Sequence, residues 1–204
     1  MKKILAIICA VLLLVSMTAC GAATEEKAEG GKYTIGICQL IKHDALDAAT
    51  NGFKQAVIDG LGEANVEFKE QNASGDSNTC STIVNTFVSD NVDLIMANAT
   101  PALQAAATAT ADIPILGTSV TEYGVALGIE NFTGTVGGNV SGTSDLAPLD
   151  QQAQMVIDWF PEAQNIGLLY CSAEANSKYQ VEKVEEFAAA SSTTAAISLL
   201  SVKA

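Results

Sequence analysis

The sequence predicts an α/β protein built on parallel sheet with helices on both faces. Short β-rich runs alternate with helical stripes from Lys32 onward, and short loops join them. Hydrophobic residues make up 49% of the 204-residue chain, enough to bury a core in one large domain or two small ones. Parallel neighbours need a crossover, so strand–helix units of this length imply a sheet wrapped on both sides.

The elements follow in order. Tyr33–Cys38 is a short strand. Asp44–Gly60 switches to helical spacing, with Leu46, Ala49, Phe53, Ala56 and Val57 on one stripe and Asp44 placed to cap it. Val66–Glu70 alternates as a strand, Ser74-Gly75-Asp76 supplies turn and cap, and Ile83, Val84, Phe87 and Val88 mark the next helix. Val92–Ala97 reads as a buried strand, Pro101–Ala111 as an alanine-rich helix, and Ile113–Gly117 as another strand. Thr118–Ser144 is rich in Gly, Thr and Asn, with one strand expected near Asn139–Gly142. A lobe boundary is placed near Ser144–Pro148, which divides the chain into residues 32–144 and a partial second lobe, 145–204. There, Leu149, Ala153, Val156, Ile157 and Phe160 form a helix stripe stopped by Pro161. Ile166–Tyr170 is a strand, and Asn176 or Ser177 is placed to cap a helix carrying Gln180, Val184, Phe187 and Ala188. Ala188–Ala204 breaks the rhythm with alanine, serine and threonine. No strand is expected there, as in a fragment or a chain whose reading frame is lost near Phe187.

Charge and composition narrow the function. Ten basic against 23 acidic residues give −13, and nucleic acid is excluded as a partner because phosphate binding needs a Lys/Arg footprint. One histidine and five scattered cysteines offer neither a zinc site nor a catalytic triad. There is no G-x-S-x-G, and Gly134-x-x-Gly137-Gly138 lacks the dinucleotide spacing, so no enzyme chemistry, cofactor or metal is expected.

The N-terminus reads as an address. Lys2 and Lys3 precede the apolar run Ile4–Met17, whose 14 residues reach only about 21 Å as a helix. A bilayer core of about 30 Å needs roughly 20 residues, so residues 1–19 are a signal peptide and not a span. Met17-Thr18-Ala19-Cys20-Gly21 resembles a bacterial lipobox, in which Cys20 is acylated and anchors the protein to the bilayer. Removing the leader discards two lysines and no acids, and residues 20–31 form a flexible tether. Cys38, Cys80 and Cys171 remain, expected as buried free thiols with room for at most one disulfide.

Two polar clusters fall where strands end. Asn98-Ala99-Thr100-Pro101 opens a helix, with Thr100 read as N-cap and Pro101 as first helical residue. Gly117-Thr118-Ser119-Val120-Thr121-Glu122 offers three hydroxyls at the next strand end. Ligands of open α/β sheets bind in the crevice outside those carboxyl ends. His43, in the loop after the first strand, has no partner at metal-ligand spacing.

A series of segments then occurs in order. Ile35-Gly36-Ile37, His43–Asp47, Gln71-Asn72-Ala73, Asp93–Pro101 and Asp112–Leu116 are followed by Asn139–Asp145 and Tyr170-x-x-x-Glu174-Ala175-Asn176-Ser177. Over residues 33–187 the chain resembles the substrate-binding lipoproteins of ABC importers, in the family of tryptophan- and tyrosine-type binding proteins. Asp44 stands where that family commonly has proline.

The resemblance implies a type I periplasmic-binding-protein fold, two Rossmann-like lobes closing on a small ligand, with the second lobe incomplete. It implies an extracytoplasmic, lipid-anchored protein that delivers an amino acid, aromatic by family, to an ABC permease. The rival readings are a nucleoside or sugar binder and a ligand-sensing lipoprotein on the same fold. The family's cleft segments map onto Gln39, His43, Asn98, Thr100, Ser119 and Thr121, and across the hinge onto Asp145, Glu174 and Asn176. The carboxylate of an amino acid would lie on Thr100, Ser119 and Thr121, and its ammonium would face Asp145 or Glu174. Closure needs both lobes, so residues 1–204 alone are expected to hold ligand weakly.

The anchor is directly testable. Expressed in its host, the protein is expected to partition into detergent and incorporate labelled fatty acid, and Cys20→Ala to release it. Acylation that survives the substitution would remove the lipobox.

Overall fold

The computed structural model describes residues 31–190 and 196–202. The expected leader, Cys20 and the expected tether up to residue 30 lie outside the described residues. Among the described residues no helix is long and apolar enough to cross a membrane.

Five parallel strands form the first sheet, in the order β2-β1-β3-β4-β5. They are β1 (Tyr33–Gln39), β2 (Val66–Asn72), β3 (Leu94–Asn98), β4 (Ile115–Val120) and β5 (Val140–Ser144). The crossovers are α1 (Asp44–Leu61), α2 (Ser77–Ser89) and α3 (Thr100–Ala109), and the short α4 (Tyr123–Leu127) follows β4. Strand alternation sorts the core into two faces. Ile35, Ile37, Val66 and Met96 pack with Phe53 and Val57 of α1 on one side. Cys38, Ile95, Ala97 and Ile115 pack with Phe87, Leu103 and Ala106 of α2 and α3 on the other.

Two glycines set how closely elements approach. A Cβ at Gly36 would lie 2.6 Å from ring carbons of Phe87, so α2 can sit against β1 only because that side chain is missing. At Gly142 the carbonyl of Gly117 and the Tyr123 hydroxyl occupy the corresponding space.

A second, two-stranded parallel sheet follows. α5 (Leu149–Trp159) leads to β6 (Asn165–Cys171), α6 (Ala175–Ala190) and β7 (Ala196–Val202). β6 and β7 pair over seven positions, from Asn165↔Ala196 to Cys171↔Val202. Leu169 and Leu200 are register partners, 71% and 56% exposed, so this sheet presents an apolar face.

Several expectations are corrected. His43, not Asp44, caps α1: its Nδ1 accepts from the Ala45 amide at 3.2 Å. Thr100 is the first residue of α3 and not its cap; Ala99 holds that place, without a side-chain bond. Asn176 and Ser177 lie inside the first turn of α6, which begins at Ala175. Phe160 and Phe187, read as core stripe, are 62% and 41% exposed. The strandless ending is also corrected, because β7 pairs along all of β6. Residues 191–195, within that ending, lie outside the described residues.

Gly36→Ala is expected to lower stability by about 1–3 kcal/mol, because the Phe87 ring must move in a filled core. Gly52→Ala, on the exposed side of α1 with nothing within 4 Å of the new methyl, is the control. It should gain up to about 1 kcal/mol from helix propensity. Urea titration reads both.

Candidate functional site

Strand order in the first sheet reverses between β1 and β3, and the carboxyl ends of an open α/β sheet part at such a point. Gln39 and Asn98 end those two strands and are register partners. Both are buried, at 4% and 0% exposure, and a buried amide must find partners. They find them in α1. Thr50 Oγ1 donates to Gln39 Oε1 at 2.7 Å and accepts from Asn98 Nδ2 at 3.0 Å. Gln39 Nε2 donates to Asp47 Oδ1 at 2.6 Å and to the Ile41 carbonyl at 2.9 Å. Asn98 Nδ2 also reaches the Leu46 carbonyl at 2.8 Å. Gln39 therefore has both amide protons and its oxygen engaged within the chain, whereas Asn98 Oδ1 has no partner.

The polar edge continues across the sheet. Asn98 is in register with Thr118, and the Ala99 amide donates to the Thr118 carbonyl at 3.0 Å. Val120 pairs with Ser144, and the Asp145 amide donates to the Val120 carbonyl at 3.0 Å. Asn98, Thr100, Ser119, Thr121 and Asp145 thus share one carboxyl edge. Thr100 is 2% exposed and its Oγ1 is unpartnered; Thr121 is buried and the Asp145 carboxylate exposed. His43 stands exposed at the start of α1, its ring engaged as the cap.

Backbone strain marks the same edge. Ala99 has φ 96° and ψ 158°, a region left almost entirely to glycine, and Ser119 has φ 55°. Ala99 turns the chain so that α3 starts with no side chain over its first amides, which carry the positive end of the helix dipole. Glu122 does the opposite at α4, accepting from the amides of Gly124 and Val125. The Tyr123 hydroxyl donates to the Thr143 carbonyl at 3.2 Å. Burial, helped by the Asp145 charge, pushes its pKa up to about 12.

Glu174 and Asn176 follow β6 in the second sheet. Glu174 Oε2 accepts from the Ser177 hydroxyl at 3.5 Å, and Asn176 Oδ1 is buried without a partner. Among the described residues no hydrogen bond joins either to the polar edge of the first sheet. A cavity of about 520 Å³ opens beside Gln39, Asp47, Thr50 and Asn72. Another, of about 690 Å³, lies beside β5 against Tyr123, Phe132 and Ser144. Neither takes in Thr100, Ser119 or Thr121. The polar row lies along the carboxyl edge of the first sheet.

Thr50 and Asp47 were not legible as site residues. The available signal was a hydroxyl at helical spacing between Leu46 and Phe53, on the face that meets the sheet.

Five parallel strands in this order, covered on both faces, make a doubly wound α/β sheet, and its structural neighbours are type I periplasmic binding proteins, of whose fold this chain covers part. The chain belongs to the ABC transporter substrate binding protein family, whose model matches residues 34–202. That match runs well past Phe187, so the reading frame is not lost there. A tyrosine-binding protein of Clostridioides difficile (strain R20291) is 42% identical over 198 residues, covering 92% of this chain and 57% of its own length. The structure of an ABC domain in complex with L-Trp from Streptococcus pneumonia superposes with a TM-score of 0.76 at 31% identity, over 84% of this chain and 58% of that one. A ligand-free, open substrate binding protein with adhesive properties from Clostridium difficile superposes at 0.63 with 38% identity, over 84% and 58% of the two chains. The chain therefore spans little more than half the length of these relatives.

Thr50→Val keeps the shape of the side chain but leaves Gln39 Oε1 and one Asn98 proton without partners. Stability is expected to fall by about 2–4 kcal/mol, and Thr50→Ser to recover most of it. Denaturant midpoints of the two variants decide this.

Proposed function

We propose that the protein is a lipid-anchored, extracytoplasmic binding protein that captures an aromatic amino acid and passes it to an ABC permease. The observation that carries the reading is the pair of buried, unpartnered oxygens, Asn98 Oδ1 and Thr100 Oγ1, beside the uncapped start of α3 at the strand-order reversal. A family of substrate-binding proteins, with relatives described as tyrosine-binding and as holding L-Trp, supports the ligand class.

In this proposal the ligand lies between a lobe of residues 32–144 and one begun by residues 145–204. Its carboxylate lies on Thr100, Ser119, Thr121 and the first amides of α3, where the helix dipole favours negative charge. Its ammonium faces Asp145 or Glu174. Gln39 shapes the floor through Thr50 and Asp47, and His43 and Asn176 line the rim. Cys20 ties the lobes to the bilayer beside the permease.

The test is calorimetry on the full-length protein with tryptophan, tyrosine and phenylalanine. Thr100→Ala also disturbs the start of α3, so Thr121→Ala is the cleaner variant. Loss of one hydrogen bond to a charged group is expected to weaken binding by roughly ten- to more than a hundredfold. Unchanged affinity would remove Thr121 from the site, and no binding of any of the three would remove the aromatic ligand class.

A further inference from the structure

We infer that Tyr123 is a positioning residue of the carboxyl edge: its hydroxyl pins the bulge between β4 and β5 and so holds Ser119, Thr121 and Asp145 in place. This role rests on the binding function proposed above, in which those three residues meet the ligand and Tyr123 does not. The bulge is visible in the register. Gly117 pairs with Gly142 and Val120 with Ser144, so two residues of β4, Thr118 and Ser119, stand opposite one of β5, Thr143. An extra residue of this kind bends its strand and re-aims the side chains around it. Ser119 has φ 55°, a left-handed conformation that a non-glycine residue keeps only where its surroundings hold it there. Just past the bulge, the Ser144 hydroxyl donates to the Thr121 carbonyl at 2.7 Å, and the Asp145 amide to the Val120 carbonyl at 3.0 Å.

Tyr123 lies over this place. Glu122 holds the first turn of α4 through the amides of Gly124 and Val125, and the next side chain falls on the paired glycines. A Cβ at Gly117 would stand 2.5 Å from the Tyr123 hydroxyl oxygen and 3.2 Å from two ring carbons. At Gly142 the hydroxyl itself fills the space of a Cβ. A side chain at either position would push the ring away, so the two glycines together make its seat. From that seat the hydroxyl donates to the carbonyl of Thr143, the residue opposite the bulge, at 3.2 Å. The Thr143 hydroxyl in turn lies 3.4 Å from that of Thr118, on the bulged strand. Tyr123 is buried, and its pKa of about 12 keeps the hydroxyl a donor across the physiological range.

The experiment compares the full-length protein with its Tyr123→Phe variant, which keeps the ring and loses only the donor. Without ligand, peptides covering residues 118–121 and 143–146 are expected to exchange amide hydrogens roughly three- to tenfold faster, with α2 unchanged. Affinity by calorimetry for whichever of tryptophan, tyrosine or phenylalanine binds should fall by roughly two- to tenfold. Gly117→Ala, whose methyl drives the hydroxyl off Thr143, should reproduce that loss, and adding Tyr123→Phe to it should cost little more. A role confined to stability would lower the melting temperature and leave affinity where it was. Unchanged exchange in the two segments, unchanged affinity, or losses that add in the double variant would each overturn the inference. If Gly117→Ala does not fold, exchange and affinity of Tyr123→Phe decide. If the wild type binds none of the three amino acids, the aromatic ligand class falls, and exchange in the two segments still decides whether Tyr123 holds the bulge.

Discussion

The hydroxyl of Thr50 fastens the first sheet at its weakest place. A parallel sheet whose strand order reverses has two neighbouring strands, β1 and β3, whose following helices leave on opposite faces, and their last residues are left to find partners. Here those residues are amides, Gln39 and Asn98, and a buried amide without partners costs about 1–3 kcal/mol per unmet group. Thr50 bonds to both at once and so couples α1 to both strand ends. Asp47, one turn earlier, takes a Gln39 proton and fixes the loop between β1 and α1. From Asn98 the polar edge runs on through the register of β3 with β4 and of β4 with β5.

What the floor leaves over is as informative as what it uses. Gln39 is fully engaged, but Asn98 keeps a buried oxygen and Thr100 a buried hydroxyl oxygen without partners. Folding alone favours neither, and the glycine-like backbone at Ala99 adds a further cost beside them. Such costs gather where a backbone must present its amides, and the start of α3 does so. α4 shows the alternative in the same fold, with the Glu122 carboxylate closing its first amides.

The second sheet is built on the same rule with less material. β6 and β7 are in parallel register over seven positions, yet Leu169, Leu200 and Val202 remain exposed. A parallel sheet is ordinarily covered on both faces, and this chain spans 57% and 58% of the length of two of its relatives. Glu174 and Asn176 sit at the equivalent strand-end position of this sheet, which repeats the logic of the first.

The sequence by itself determined the alternation of strands and helices through β6 and α6. Their apolar periodicity, turns and caps such as Asp76 are local signals, and local signals survive without a partner. It also placed Asn98–Thr100 at a strand end, whereas Thr118–Val120, expected beyond their strand, form the last three residues of β4 because the β3 and β5 ladders carry the strand on to Val120. Tertiary structure decided the rest. Ala196–Val202 is a strand because β6 offers it a ladder of backbone groups, and its own Ser-interrupted pattern does not announce one. Ala99 takes the place expected of Thr100 because the Thr118 carbonyl on the neighbouring strand holds its amide. Thr50 looked like one polar residue in a helix stripe. Only pairing β1 with β3 put two unsatisfied amides beneath it, and a hydrogen bond has no meaning in sequence until its partner arrives from 48 residues away.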